Sequence, residues 1–493
     1  MSSTEAPIVV IGSGPGGAAA ALALTQRGFP VMLLESGTED IRAFRVQVGG
    51  VSVFRRAQAC RSPLPYTTAE DSRAVWYHEL AMGGLSNHWT GACPRFHPND
   101  FTDGARVGQE YEWPISYEEL VPYYRWAERL LKLSGTPNDA PCLPGGLRTH
   151  EHDIPQDWSP LRTIVEARGQ GLVPIPLAAG KRWDVSTSPT PFNSREIIAR
   201  LEGRSADFSV MRGSHAVRIV CNGSNRASAV EVFDRADQTT KRIACSGVVV
   251  AAGALATCQL LLQSTDGIGG RHGLGNTTGV LGAYVHDHTK DWTVIRTERA
   301  LPRLGHPLYL PRRAYDRSEP MTGVAYTFSA RTRRRDRALV HLPGSSRTFG
   351  FSSFGMWTPT RESRVRLNDS RRDAFGQSQI EIDVRFPESA MRVLEDARSE
   401  LLDTLDAAGF GPTLVWSTND SPPGGAVHWA GTARMNRSSE HGVCDGTGRI
   451  HGVENVAVGD ASVFPTPVEK NPTLTLMALS ARSALALARR LAG

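Results

Sequence analysis

The run Ile8-Val-Val-Ile11, ended by Gly12-Ser-Gly14-Pro-Gly16-Gly17, constrains this chain more than any other segment. Four apolar residues closed by glycines read as a buried parallel strand. Residues 18–27 behind them read as a helix stopped at Gly28, and Val31-Met-Leu-Leu34 reads as a second strand closed by Glu35. The three elements make a β-α-β unit. Gly12, Gly14 and Gly17 fit the spacing GxGxxG, which permits a tight turn and lets backbone approach a pyrophosphate at the helix N-terminus. Glu35 stands 21 residues after Gly14, where a carboxylate can bind ribose hydroxyls. The glycines alone are a weak signal; with strand, helix and acid in place they specify a dinucleotide site. They do not separate FAD from NAD.

A chain of 493 residues is too long for one simple core, so two packed domains are expected. The 55 basic residues exceed the 50 acidic ones by a thinly spread +5, so neither nucleic acid nor membrane is an expected partner. The densest basic run, 331–337, reads as an exposed loop or strand edge. The seven cysteines are Cys60, Cys93, Cys142, Cys221, Cys245, Cys258 and Cys444. None is at CxxC or metal-ligand spacing, so no disulfide framework, zinc site or other metal is expected. The first residues lack the basic region of a signal peptide, and no run of eighteen apolar residues occurs. A cytoplasmic location is the resulting expectation.

Further along, residues 40–82 read as irregular. Ser116 and Glu119 form a capping-box pattern ahead of a helix over 117–131. Residues 211–234 read as two strands around a turn at Cys221-Asn-Gly223, and Gly247-Val-Val-Val-Ala251 reads as a buried strand leading into a helix over 255–263. Alternating strands occupy about 290–386. A helix over 388–408 presents Val393, Leu394, Ala397, Leu401 and Leu405 on one face, stopped by Gly409. Val456-Ala-Val458 reads as buried strand and 473–491 as the final helix.

The last seventy residues carry the chemistry. His428-Trp-Ala-Gly-Thr-Ala-Arg-Met435 is followed, 43 positions after His428, by Asn471-Pro-Thr-Leu-Thr475. One histidine and one asparagine stand in rigid frames, as a general base and an amide that could bind an alcohol would.

At Met82-Gly-Gly84-Leu-Ser86-Asn-His88-Trp89 the chain resembles the glucose-methanol-choline (GMC) oxidoreductases, flavoproteins with a GGxS loop over the flavin. The resemblance continues at Gly253-Ala-Leu-Ala-Thr-Cys258-Gln-Leu-Leu261, although Cys258 stands where proline is usual and Thr265-Asp266 interrupt the segment behind it. It is strongest at His428-xx-Gly-Thr-x-Arg-Met435, Gly459-Asp460 and Asn471-Pro-Thr-Leu-Thr475. The stretch 86–96 is most similar to the pyranose oxidase and C-glycoside 3-oxidase branch.

The resemblance implies an α/β fold. A Rossmann-like FAD domain would be assembled from discontinuous segments, with an inserted α+β substrate domain containing an antiparallel sheet. The expected boundaries are FAD domain 1–100, cap segment 101–204, FAD domain 205–290, substrate domain 291–424 and FAD domain 425–493. Gly12, Gly14, Gly17, Glu35, Gly84, Ser86, His88, Thr90, Val217, Ala252, Gly253, Asp460, Pro472 and Thr473 are expected at the cofactor. Thr90 would lie near flavin N5 and Asp460 near the ribityl or pyrophosphate. His88 would either bond covalently to the flavin or stack near it without a bond.

The implied reaction is oxidation of a secondary alcohol of a sugar or glycoside, with His428 as base, Asn471 orienting the hydroxyl and hydride passing to flavin N5. A helix starting at Asn471-Pro472-Thr473, with proline at its first position, would stabilise charge on the flavin pyrimidine. Three alternatives stay open. They are a dehydrogenase of a non-sugar alcohol, a lyase with idle FAD, and a flavoprotein without activity. Oxygen or a quinone is the expected acceptor, and the oligomeric state is not readable. His286-Asp287-His288 could suggest a metal pair but reads as a structural crossing segment. Trp183, Trp357 and Trp416 could stack on a sugar but read as packing residues.

Overall fold

The computed structural model describes residues 6–38, 44–48, 51–55, 64–141, 143–178, 192–223, 225–302, 304–312, 321–329, 331–333, 339–341, 345–418 and 421–493. Strands Ile8–Ile11 and Val31–Glu35 pair in parallel around the helix Pro15–Thr25, with Ile8 opposite Val31 and Ile11 opposite Leu34. Gly247–Val250 joins on the other side, Val456–Val458 lies outside it, and Phe208–Arg212 lies beside Val31–Glu35. The result is a five-stranded parallel sheet drawn from segments hundreds of residues apart. Its central strands are buried, which is why Ile-Val-Val-Ile and Gly-Val-Val-Val are unbroken apolar runs rather than alternating ones.

The first helix packs against the last, Thr473–Leu491. Both are lined with small residues there, and the Ser480 hydroxyl donates to the Gly16 carbonyl at 2.7 Å. A Cβ on Gly16 would stand 2.1 Å from the Gly459 carbonyl oxygen, and one on Gly17 1.8 Å from that of Gly12. Only glycine fits either position.

The second half is built on a six-stranded antiparallel sheet. Its order is Thr413–Ser417, Thr289–Pro302, Ser345–Gly355, Val324–Ser329, Leu308–Arg312, Val173–Pro174. One face, including Ile295, Phe328 and Phe351, packs on the helix Glu388–Ala407 through Leu394, Ala397, Leu401 and Leu405. That helical stripe is the one its periodicity implies. Strand alternation turns Lys290, Trp292, Ser352 and Phe354 to the opposite face, where Phe354 lies beside His428.

Two expectations change in detail. The hairpin behind the parallel sheet pairs Ser214–Cys221 with Ala227–Asp234, while Met211 belongs to the separate strand Phe208–Arg212. Gly213, at φ +66°, turns the chain between them. The stretch 40–82 is not wholly irregular. Phe44–Val48 pairs with Val51–Arg55, and Tyr66–Thr68 pairs with Ser378–Asp383. The latter partner lies some three hundred residues away, so no local pattern announces it. Arg331–Arg333 forms a short strand, whereas 334–337 lie outside the described residues, as do Trp183, Cys60 and Cys142. The five described cysteines are buried thiols. No described helix is long and apolar enough to cross a membrane.

Helix Tyr117–Leu131 begins with the expected capping box between Ser116 and Glu119. It carries Glu128, 1% exposed, into a cluster with two arginines. Arg95 donates to both carboxylate oxygens at 2.9 and 2.7 Å, Arg148 donates at 3.1 Å and the Leu147 N–H at 3.0 Å. One buried carboxylate thus compensates two buried guanidinium groups. Glu128→Gln keeps the volume and removes the charge, and the uncompensated cations should cost about 3–5 kcal/mol. Chemical denaturation of the two proteins checks this.

Candidate active site

The nucleotide end is organised by two carboxylates. Glu35 accepts the Ser13 N–H at 3.1 Å, the Ser13 hydroxyl at 2.5 Å and the Gly37 N–H at 2.7 Å. Burial pushes its pKa up, against the pull of these donors. Ser13 in turn accepts from the Gly83 N–H at 2.9 Å, tying the Gly83-Gly84 loop to the glycine-rich turn. Asp460 accepts the Ser462 N–H and hydroxyl on one oxygen, at 2.9 and 2.6 Å. Its other oxygen accepts the Gly253 N–H at 2.9 Å and the Thr257 hydroxyl at 2.6 Å. Burial likewise raises the Asp460 pKa. Expected at the cofactor, this carboxylate is occupied by four donors of the chain itself, and its direct work is to hold two loops together.

Gly14 and Gly253 are the caps of the helices Pro15–Thr25 and Ala254–Gln263, and a Cβ on either would meet nothing within 4 Å. Two helix N-termini therefore open onto free space, the first next to Ser13 and the Glu35 it holds, the second at Gly253 with Ala252 leading into it. Their N–H groups and dipoles suit a pyrophosphate. Val217 is the extra residue of a bulge between Ala216 and Arg218, and its carbonyl accepts from Gln377 at 3.0 Å. These residues fit a dinucleotide.

The GGxS loop is a 3₁₀ turn, Gly84–Asn87, lying close to Gly14. The Ser86 hydroxyl is engaged with the Gly83 carbonyl at 2.6 Å and with Ser194 at 2.9 Å, so it braces the loop. His88 follows, with Nε2 2.7 Å from a Glu79 oxygen. Thr90 is exposed.

At the other end His428 and Asn471 meet, both half-buried. The Asn471 amide nitrogen is 3.4 Å from His428 Nε2. His428 Nδ1 is 2.9 Å from His288 Nδ1, and His288 Nε2 donates to the Val468 carbonyl. Asp287 accepts the main-chain N–H of Ala426 at 3.1 Å and of His428 at 3.0 Å, gripping the segment from both sides. Val427 between them sits at φ +65°, a strained conformation for a β-branched residue. Burial, then His288, then Lys290 hold the His428 pKa well below 6.5, so the ring is neutral. Phe354 lies beside it, ring centroids 5.5 Å apart, and the Lys290 ammonium sits 5.3 Å above the Phe354 ring. Lys470, directly before Asn471, is fully buried between Asp100 at 3.1 Å and Glu469 at 2.5 Å. The last helix spans Thr473–Leu491, as its sequence implies, with Pro472 as its cap rather than its first helical residue.

Asp287, His288 and His428 bring three possible metal-ligating atoms within 4.8 Å of one another. The hydrogen bonds just described account for all three. His286 bonds apart from them, to the Tyr284 carbonyl. Trp357 donates to the Asp287 carbonyl at 2.7 Å from a buried position, and Trp416 lies on the edge strand opposite Val294. Sequence reasoning did not single out Glu79, Lys290, Trp292, Phe354 or the role of Asp287. Of these only Asp287 carried a signal, as the centre of the His-Asp-His triplet.

Comparison with known proteins gives the family. Two sequence profiles described as GMC oxidoreductase match residues 197–290 and 359–480, and a profile described as an NAD(P)-binding Rossmann-like domain matches 10–71. The chain belongs to the GMC oxidoreductases. It is 26% identical to 2-methyl-1,2-propanediol dehydrogenase of Mycolicibacterium austroafricanum, covering 99% of this chain and 96% of that one. It is 27% identical to the C-glycoside 3-oxidase of Arthrobacter globiformis, over 86% and 76%. The crystal structure of pyridoxine 4-oxidase from Mesorbium loti superposes with a TM-score of 0.65 at 18% identity, covering 98% and 99%. As a GMC oxidoreductase the chain binds FAD in its Rossmann-like half and acts on CH–OH groups.

Asp460→Asn swaps an acceptor for a donor opposite either Ser462 or the Gly253–Thr257 pair. FAD affinity should fall by about tenfold, the scale of one charge-assisted hydrogen bond. Titration of apoprotein with FAD, followed by flavin fluorescence, measures it.

Proposed function

We propose that this GMC oxidoreductase converts a secondary alcohol of a sugar or glycoside to the ketone, with His428 Nε2 as the base. The observation that carries this is the meeting of a neutral imidazole and an amide, 3.4 Å apart, from segments 43 residues apart in the chain. FAD, when bound, accepts the hydride. Everything else falls to the chain. His428 takes the hydroxyl proton, and Asn471 bonds the same oxygen and fixes its direction. Lys290 favours negative charge on that oxygen as its proton leaves.

A sugar fits the opposing wall. Phe354 is beside His428, and Trp292 lies over Gly350, whose Cβ would stand 3.1 Å from the indole nitrogen. Both are on the sheet face that looks toward the base, with Ser352 opposite Trp292. Flat aromatic faces beside hydroxyl groups suit the C–H face of a pyranose. Similarity to a C-glycoside 3-oxidase supports the same class. A second reading, dehydrogenation of a small non-sugar alcohol, is favoured by the 99% coverage in the match to 2-methyl-1,2-propanediol dehydrogenase. Acid precipitation separates the two places for His88: colour lost from the pellet means non-covalent FAD, and colour retained means a bond to the flavin.

Anaerobic mixing with free sugars, glycosides and simple alcohols tests the function: a sugar or glycoside should bleach the flavin band. Bleaching only by small diols would replace the leading reading with the second, and readmitted air reports whether oxygen is the acceptor. His428→Ala should keep FAD and lose about 10²–10⁴-fold in reduction rate, whereas Asn471→Ala should lose about tenfold. Unchanged reduction in His428→Ala would remove the base assignment.

The pH dependence has a definite sign. The His428 pKa is depressed, so its neutral form is fully present above 6.5 and is lost only as pH falls through the lower folded value. The acid limb of kcat/KM should lie below 6.5. A limb above 6.5 would mean that another group titrates.

A further inference from the structure

We infer that His288 is a positioning residue that fixes which nitrogen of His428 acts as the base. The inference rests on the reading of His428 as that base. Three hydrogen bonds in series carry it. The Val468 carbonyl can only accept, so the His288 Nε2 bonded to it carries a proton. His288 is 6% exposed, and burial lowers its pKa, so the ring is neutral and its Nδ1 is a lone pair. His428 Nδ1 lies 2.9 Å from that lone pair and therefore donates to it. A neutral His428 protonated at Nδ1 has its free lone pair at Nε2, the atom facing the Asn471 amide N–H.

Each link has one allowed direction, and the direction is imposed by a main-chain carbonyl at the far end. That carbonyl belongs to Val468, three residues before Asn471. One segment thus acts on both sides of His428, through two rings at Nδ1 and through the amide at Nε2. When the alcohol proton arrives at Nε2, the Nδ1–H bond to His288 persists and helps hold the imidazolium, as an orienting partner does for a catalytic histidine. Without an acceptor at His288 Nδ1, nothing else described near that nitrogen would hold the proton there. The ring could then place it on Nε2, where it blocks the base.

The test uses FAD-loaded protein labelled with ¹⁵N histidine, together with His288→Asn and His288→Leu. The asparagine oxygen stands near the position of Nδ1 and keeps the acceptor; leucine removes it. Wild-type spectra should show His428 protonated at Nδ1 and bare at Nε2. His288→Leu should move the proton to Nε2 and lower kcat about 100-fold, at the low end of general-base effects, with KM changed less than about threefold. His288→Asn should keep the Nδ1 tautomer and stay within about tenfold of wild-type kcat. A wild-type His428 protonated at Nε2 would overturn the inference. So would a folded His288→Leu protein that keeps both tautomer and kcat. One tightly held transition-metal ion between the two Nδ1 atoms, seen by elemental analysis of the holoprotein, would do the same. Should His288→Leu fail to fold, the wild-type spectrum and the His288→Asn rate still decide. Should no alcohol reduce the wild-type flavin, the oxidation reading fails by itself, and the ¹⁵N spectrum decides the tautomer independently.

Discussion

The four hydrogen bonds to the Asp460 carboxylate are the constraint on which the assembly depends. A buried carboxylate is tolerated only when its lone pairs are satisfied. Here the donors are Gly253 and Thr257 at one helix start and Ser462 in the C-terminal segment. Asp460 directly follows Gly459, whose carbonyl packs against Gly16 so closely that no side chain fits between them. Two helix N-termini and the C-terminal lobe are therefore fixed to one another within a few residues. A domain assembled from distant segments needs such a clasp, because its parallel strands supply no local turn to hold them in register.

The His428–Asn471 pair hangs from the same clasp. Ala433 donates to the Ser462 carbonyl and Met435 to that of Val463, so the segment carrying His428 runs along the residues behind Asp460. Asp287 then pulls Ala426 and His428 toward the start of the long antiparallel strand, with the strained Val427 between them. Lys470, locked between Asp100 and Glu469, leaves Asn471 little freedom. Nearly all of these anchors are main-chain atoms or buried ions. That suits the base proposed here, whose nitrogen must be held within about 0.5 Å of the geometry in which it receives a hydroxyl proton.

Elements whose cause is local were legible in the sequence. The β-α-β unit follows from an apolar run, glycine spacing and a closing acid. The helix at Tyr117 follows from its capping box, and the helix at Glu388 from a 3.6-residue stripe. His428 and Asn471 were legible as motifs, although their distance of 43 residues gives no hint of contact. What was not legible is cross-strand. Lys290 and Phe354 become neighbours only because two strands pair across sixty-four positions, and Tyr66–Thr68 finds its partner only at Ser378–Asp383. Ser86 illustrates the opposite failure. Its motif marks the loop correctly, yet its hydroxyl holds Ser194, a partner no local pattern indicates. The His286-Asp287-His288 triplet was visible, but its role depends on the Val468 carbonyl, which a sequence of side chains does not display.

This division separates two kinds of change. The position of His428, and the tautomer inferred for it, rest on backbone groups of Val468, Ala426 and His428 and on the buried side chains of Asp287 and His288. The sheet face beside His428 carries Trp292, Ser352 and Phe354, side chains on alternating positions of two strands whose other face is locked onto a helix. On the function proposed here, replacing one of those side chains would alter the shape offered to the alcohol, while the strand and the clasp behind His428 would stay in place. A fold arranged so can exchange substrates without rebuilding its proton chemistry. That is a physical reason for relatives named for a diol and for a C-glycoside to share about a quarter of their residues with one chain.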